Sequence, residues 1–383
     1  MKVVFCQSQL GAWIRTLARV VAPQRPCWNA CALGLLVYGV VNPGMLVQPC
    51  VAQDAVPDRV DIVHRTTGQQ QTISGRVIDY NGRFLTLQRV GGQQEQIASS
   101  RVRKIQTSRT KQHIRGDQML AAHQFEQALV AYQQAVKEET RQWVRQEILA
   151  QWVWCYQSLG LIEQAGDAFL KLVLASDPQT LYFQAIPLNW GKQTVSLALE
   201  GQAQVWLTSS VSAASRLMGA SWLLGTSQRS LAIDVLKQLA TQEDTRIALL
   251  AEFQLRRTQQ ATVSMQGLNQ WEQQLSRLPV KLRAGPYYLL ATGFGRHKQH
   301  DRAIVSWMRV PINYPRHFHL SSESLLGAAR ELDRLKRSRQ ARNVYQEITR
   351  RYSNTIAAGQ AQRWLTEQDR SNSPTPKKPG PAN

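Results

Sequence analysis

Acidic residues are scarce in this chain: 26 Asp and Glu stand against 46 Lys and Arg in 383 residues, a formal net charge of +20. A chain so basic is drawn to phosphate-rich or acidic partners, namely nucleic acid, anionic lipid headgroups or acidic wall polymers. Cysteine is scarce where a fold would use it. Cys6, Cys27, Cys31 and Cys50 precede residue 53, and Cys155 alone follows, which excludes an internal disulfide framework downstream of the first segment. Short catalytic signatures are missing too: there is no glycine-rich phosphate loop, no GxSxG elbow, no HExxH and no CxxC pair. No cofactor and no metal is therefore expected, and the chain reads as a binding protein and not an enzyme.

The N-terminus has the three parts of a secretory signal. Lys2, Arg15, Arg19 and Arg25 face a single acid, Asp54, in the first 55 residues, and the apolar run CALGLLVYGVV follows from Cys31 to Val41. Eleven residues are too few to span a bilayer, and a longer span would pass through Asn42 and Pro43. Residues 1–52 are thus expected to be a signal peptide cleaved after Ala52, placing the protein in the periplasm or envelope. The rival readings are an uncleaved inner-membrane anchor and a cytosolic protein whose true start lies elsewhere.

What the chain does contain is internal repetition. Five times an alanine is followed four residues later by a bulky apolar residue and three after that by another apolar or small one: Ala128/Tyr132/Ala135, Ala165/Phe169/Leu172, Ala232/Leu236/Leu239, Ala303/Trp307/Val310 and Ala341/Tyr345/Ile348. Steps of four and three keep each triplet on one helical face, with the alanine where a neighbouring helix comes close. Twelve residues upstream a small residue recurs at Gly116, Ala220, Ala291 and Ala329, with Val153 the exception. Two small positions per unit imply two tightly crossing helices, stacked unit upon unit.

The unit from Gly116 to Ala135, GDQMLAAHQFEQALVAYQQA, and the inter-helix glycine Gly160 resemble the tetratricopeptide repeat, and the ending RRYSNT is similar to repeats of bacterial envelope assembly proteins. The alanines lie 37, 67, 71 and 38 residues apart, against a family period of about 34. Each long gap has room for one extra helix pair, and Ser215 to Arg257 reads equally as a HEAT-like pair with Asp244 and Arg246 at a helix junction. The resemblance implies an α-solenoid that binds a protein or peptide partner. Its packing residues are Gly116, Ala128, Tyr132, Ala135, Gly160, Ala165, Phe169, Ala232, Ala303, Trp307, Ala341 and Tyr345.

Before the helices the period changes from 3.6 to 2. VDIVH, TISGRVIDY, RFLTLQRV, QQEQIA and SRVRKIQ read as five short strands with Asn81–Gly82 and Gly91–Gly92 as hairpin turns, a small barrel resembling SH3-like or Sm-like folds over residues 57–109. The expected organisation is then helix pairs over 110–184, 192–260 and 261–368, a break at AIPLNWG (Ala185 to Gly191) serving as boundary or hinge, and a disordered tail over 369–383.

Two basic clusters are candidate anion-binding sites: Arg101, Arg103 and Lys104, extended by Arg109 and Lys111, and Arg334, Arg337 and Arg339 among Glu331 and Asp333. Between Val56 and His113 there are ten basic residues against four acidic ones, which makes a nucleic-acid-binding adaptor the rival function, although few aromatics are placed to stack bases. An anionic envelope surface is the other polyanion within reach. The tryptophans, among them Trp143, Trp152, Trp154, Trp190, Trp206, Trp222 and Trp307, fall at core spacing. His297, His300, His317 and His319 are four imidazoles around one helix pair, but lack a carboxylate ligand. The sum is a non-enzymatic interaction scaffold of the cell envelope.

Overall fold

Alternation in the first described residues builds a sheet. In this computed structural model, which describes residues 57–175, 180–191, 193–209 and 212–372, five strands run β1 Asp58–Val63, β2 Gln70–Tyr80, β3 Phe84–Gln88, β4 Gln94–Ala98 and β5 Val102–Gln106. Their order is β4-β3-β2-β1-β5, an antiparallel sheet in which β5 returns to pair with β1 after a 3-10 turn at Ser99–Arg101. Val60, Ile62, Ile73, Val77, Leu85, Leu87 and Ile97 form its core, each at most 5% exposed. The two expected turns differ in mechanism. Gly91 and Gly92 take positive φ (99° and 88°), whereas the Asn81 turn is held by its own side chain, whose Oδ1 accepts from the Arg83 and Phe84 amides. The signal peptide expected over 1–52 and the end of the tail lie outside the described residues.

Fourteen helices follow among the described residues: α1 Lys111–Ala121, α2 Phe125–Glu138, α3 Gln142–Ser158, α4 Ile162–Ala175, α5 Leu197–Thr208, α6 Ala213–Leu223, α7 Arg229–Leu239, α8 Thr245–Gln259, α9 Met265–Leu275, α10 Ala284–Arg296, α11 His300–Asn313, α12 Phe318–Arg334, α13 Ser338–Arg351 and α14 Ile356–Asn372. Each packs on the next within its pair, giving an α-solenoid preceded by the small β domain. Capping side chains set several starts, with Thr110, Ser196, Asp244 and Ser264 each accepting from an amide two or three residues on. Helix α14 continues to Asn372, so the region expected as tail from 369 is helical at its start.

The repeat is visible in backbone geometry. His123, Gly160, Lys298 and Lys336 all have positive φ (57° to 74°), and each lies five residues before a repeat alanine. In every case the next amide donates to the carbonyl five residues back: Gln124 to Met119, Leu161 to Tyr156, Gln299 to Phe294 and Arg337 to Leu332. This is the Schellman ending, which turns the chain from one helix of a pair into the other. The unit around Ala232 turns differently, with Thr226 Oγ1 accepting from the Gln228 amide. Of the two long spacings, the second holds the expected extra pair, α8 and α9, ahead of α10, whereas the first adds the single helix α5 ahead of α6.

The ends of the array meet. Phe125 on α2 packs edge-on against Phe318 of α12 (4.9 Å), Trp154 on α3 against His317 (4.8 Å), and His123 bonds the Arg351 carbonyl at 3.1 Å. Burial at this closure comes from residues about 200 positions apart in sequence, and the described residues from 59 onward form one compact unit.

Candidate functional site

The interior of the closed array is occupied by chain. Residues 180–191 carry only a 3-10 turn at Phe183–Ala185, and they run between helices of the array. A non-helical segment buried in this way must have its polar backbone satisfied by side chains. Gln157 of α3 donates to the Ala185 carbonyl (2.7 Å), Trp222 of α6 to Pro187 (2.8 Å) and Gln254 of α8 to Asn189 (3.3 Å), while Ser221 accepts from the Asn189 amide (2.9 Å). Trp190 lies on α10 where Gly285 leaves room for the ring, and Gly191 lies against Glu323 of α12. The segment expected as a boundary or hinge is therefore a plug fastened to five helices.

Beside the plug a cavity of about 50 Å³ is lined by Gln157, Trp190, Arg316, His317, His319 and Glu323, among others. It has room for a few waters and not for a substrate. Its two histidines are held out of proton chemistry. Burial pushes His317 down to about 4, and His319 is lowered by burial as its ring bonds the Ser158 carbonyl at 3.0 Å; on α3, outside the lining, burial pushes the Cys155 thiol up to about 12. A thiol so raised is not a nucleophile at neutral pH.

Next to it the β domain is fixed to the first repeats. Arg141 donates to Thr107 Oγ1 (2.6 Å) and the Ser108 carbonyl (2.7 Å), and Tyr80 packs edge-on against Trp143. Arg109 bridges Asp117 (2.7 Å) and Glu147 (2.8 Å). Burial raises Glu147 despite that partner, and burial together with Arg109 lowers His113, so its ring is neutral beside the guanidinium. The network joins the barrel linker to α1 and α3, and it takes Arg109 out of the basic cluster to which the sequence assigned it.

The packing residues named from the sequence are brought to helix contacts. Ala128, Ala135, Ala165, Phe169, Ala232, Ala303 and Ala341 are 0% exposed, with Tyr132 at 0%, Tyr345 at 2% and Trp307 at 7%. The Tyr132 ring lies over Gly116, where a Cβ would meet it at 2.5 Å, and Gly160 provides the positive φ of the second turn. The tryptophans expected in the core are buried, Trp206 at 1% and Trp222 at 2%, so none of them lines an open concave groove.

The anion-binding candidates are not equivalent. Arg101 is half-buried and donates to the Val63 carbonyl; Arg103 and Lys104 are exposed, with Lys104 opposite Asp61 in the sheet register. Arg334 pairs with Glu331 and Arg337 with Asp301, whereas Arg339 is exposed and makes no salt bridge. The four histidines separate: His297 bonds the Val263 carbonyl, His300 bonds Glu331, and His317 and His319 go to the closure. Among the described residues no group of three metal-ligating side chains occurs. The plug and the positive φ of His123, Lys298 and Lys336 were missed from sequence because Lys and His give no turn signal; the only available hint was their constant distance of five residues from the repeat alanine.

No family model matches this chain, and comparison with curated proteins and with solved structures returns no significant match.

Proposed function

We propose that this protein is a non-enzymatic scaffold of the cell envelope, built from tetratricopeptide-like and HEAT-like pairs, that binds a protein partner through the outer surface of its helical array. The observation that carries the reading is the outward face of α5. Leu197 (89% exposed) and Val205 (62%) lie two helical turns apart with Gly201 between them and nothing packed over it. An apolar helix face left to water marks a partner site, and the partner that fits is an apolar helix laid along it. At the end of α5 an open hollow of about 540 Å³, lined by Thr208, Ser212 and Arg216, extends the surface.

Capture from envelope fractions followed by mass spectrometry tests this, comparing the native chain with a Leu197→Asp/Val205→Asp variant. Both positions are exposed, so the fold is retained, and the partner held by the native chain should be lost. Identical capture by both would remove α5 as the site. The envelope assignment has its own check. N-terminal sequencing of protein from its host should begin within a few residues of Gln53, and a start at Met1 would exclude the cleaved signal.

A further inference from the structure

A basic surface lies outside both clusters visible in sequence. Between Glu272 and Asp301, and again between Asp301 and Glu323, no acidic residue occurs. Asp301 lies at the start of α11 and is held by Arg337 at 2.8 Å, roughly 20 Å from the other end of that helix. The α9–α10 and α11–α12 connections consequently carry no acidic side chain of their own, and Glu147 of α3 lies within electrostatic reach of Arg316 in the second.

The two connections are joined. The Tyr314 hydroxyl donates to the Val280 carbonyl at 2.8 Å, and Tyr287 and Tyr314 have ring centres 6.2 Å apart. Arg283 folds back onto the Leu278 and Ser276 carbonyls, which stiffens the first connection and presents its neighbours outward. The third connection, α13–α14, meets the second where Tyr352 packs on Phe318 at 5.0 Å. Each connection displays one aliphatic side chain to solvent: Val280 (64% exposed), Ile312 (67%) and Ile356 (83%). Beside them Arg277, Lys281 and Arg316 are exposed and make no salt bridge among the described residues, Arg316 at the mouth of the cavity beside the plug.

We propose that this edge docks on an anionic lipid surface, the three cations engaging headgroup phosphates while the three aliphatic side chains enter the headgroup boundary. Charge complementarity selects an anionic surface, and the protruding aliphatics select a lipid one, since they have no role against a phosphate backbone. Base stacking is not available: Tyr314 is 9% exposed with its hydroxyl committed to Val280. The inference stands beside the scaffold reading and not on it, because α5 and this edge are tested by different variants.

The test is co-sedimentation of the full chain with vesicles of equal parts phosphatidylglycerol and phosphatidylcholine, and with pure phosphatidylcholine, at low and high salt. The native chain should bind the anionic vesicles and release them as salt rises. Arg277→Glu/Lys281→Glu/Arg316→Glu should weaken binding by about a hundredfold or more, at roughly fivefold per cation. Val280→Ser/Ile312→Ser/Ile356→Ser should weaken it severalfold while leaving the salt dependence as it was. Arg334→Glu/Arg337→Glu/Arg339→Glu, at the opposite end of α12, should leave it within about twofold. Equal retention by neutral vesicles, native-like binding by the first variant, or retention on duplex DNA with none on anionic vesicles would each overturn the proposal.

Discussion

A single methyl group at position 285 measures how firmly the plug is held. Gly285 is the second residue of helix α10 and precedes Pro286, where the clash of a Cβ with the proline ring offsets the usual gain from replacing a helical glycine by alanine. Here the new Cβ would lie 1.9 Å from Cδ2 and 2.1 Å from Cε2 of Trp190, a ring that is 8% exposed. Overpacking of this kind costs about 1 to 3 kcal/mol. A rigid indole, with only a cavity of about 50 Å³ beside it, puts the cost at the upper end, so the loss should be about 3 kcal/mol. Trp190→Ala alone removes a buried aromatic and should cost about 3 to 5 kcal/mol. In that background Gly285→Ala should be close to neutral, a coupling of about 3 kcal/mol between the two sites. Urea unfolding followed by far-UV circular dichroism reads the midpoints at unchanged slope. A higher midpoint for Gly285→Ala in the otherwise native chain would mean that Trp190 does not lie on α10, and the plug would have to be abandoned.

Ala128→Leu and Ala341→Leu place three extra carbons at helix crossings that are 0% exposed, and each should lower stability by about 1 to 3 kcal/mol; neutral thermal unfolding at both sites would mean the repeat register is wrong. The closure should also be sensitive to acid. Burial takes His317 from 6.5 to about 4, so the unfolded chain binds the extra proton first and stability falls as pH drops from about 6.5 to about 4, by roughly 3 kcal/mol for this group. His317→Phe keeps the edge contact with Trp154 and should flatten that stretch of the stability profile; an unchanged profile would place His317 outside the closed interior.

The repeat units were legible in sequence because they are built from local contacts. A triplet such as Ala341/Tyr345/Ile348 fixes which helical face is buried through steps of four and three, whatever the rest of the chain does, and alternation from Val60 to Gln106 fixes the sheet in the same way. Turn chemistry was legible only where glycine or asparagine carried it: Gly160 was visible as a turn residue, while His123, Lys298 and Lys336 adopt the same backbone because the Schellman bonds and the packing of the next helix impose it. Ring closure and the plug belong to the tertiary structure alone. Whether Phe125 reaches Phe318, or Trp190 reaches Gly285, depends on small rotations accumulated over successive helix pairs. The edge around Val280 and Ile312 has the same origin, since two acid-free stretches become one surface only when helix pairing sets their connections side by side.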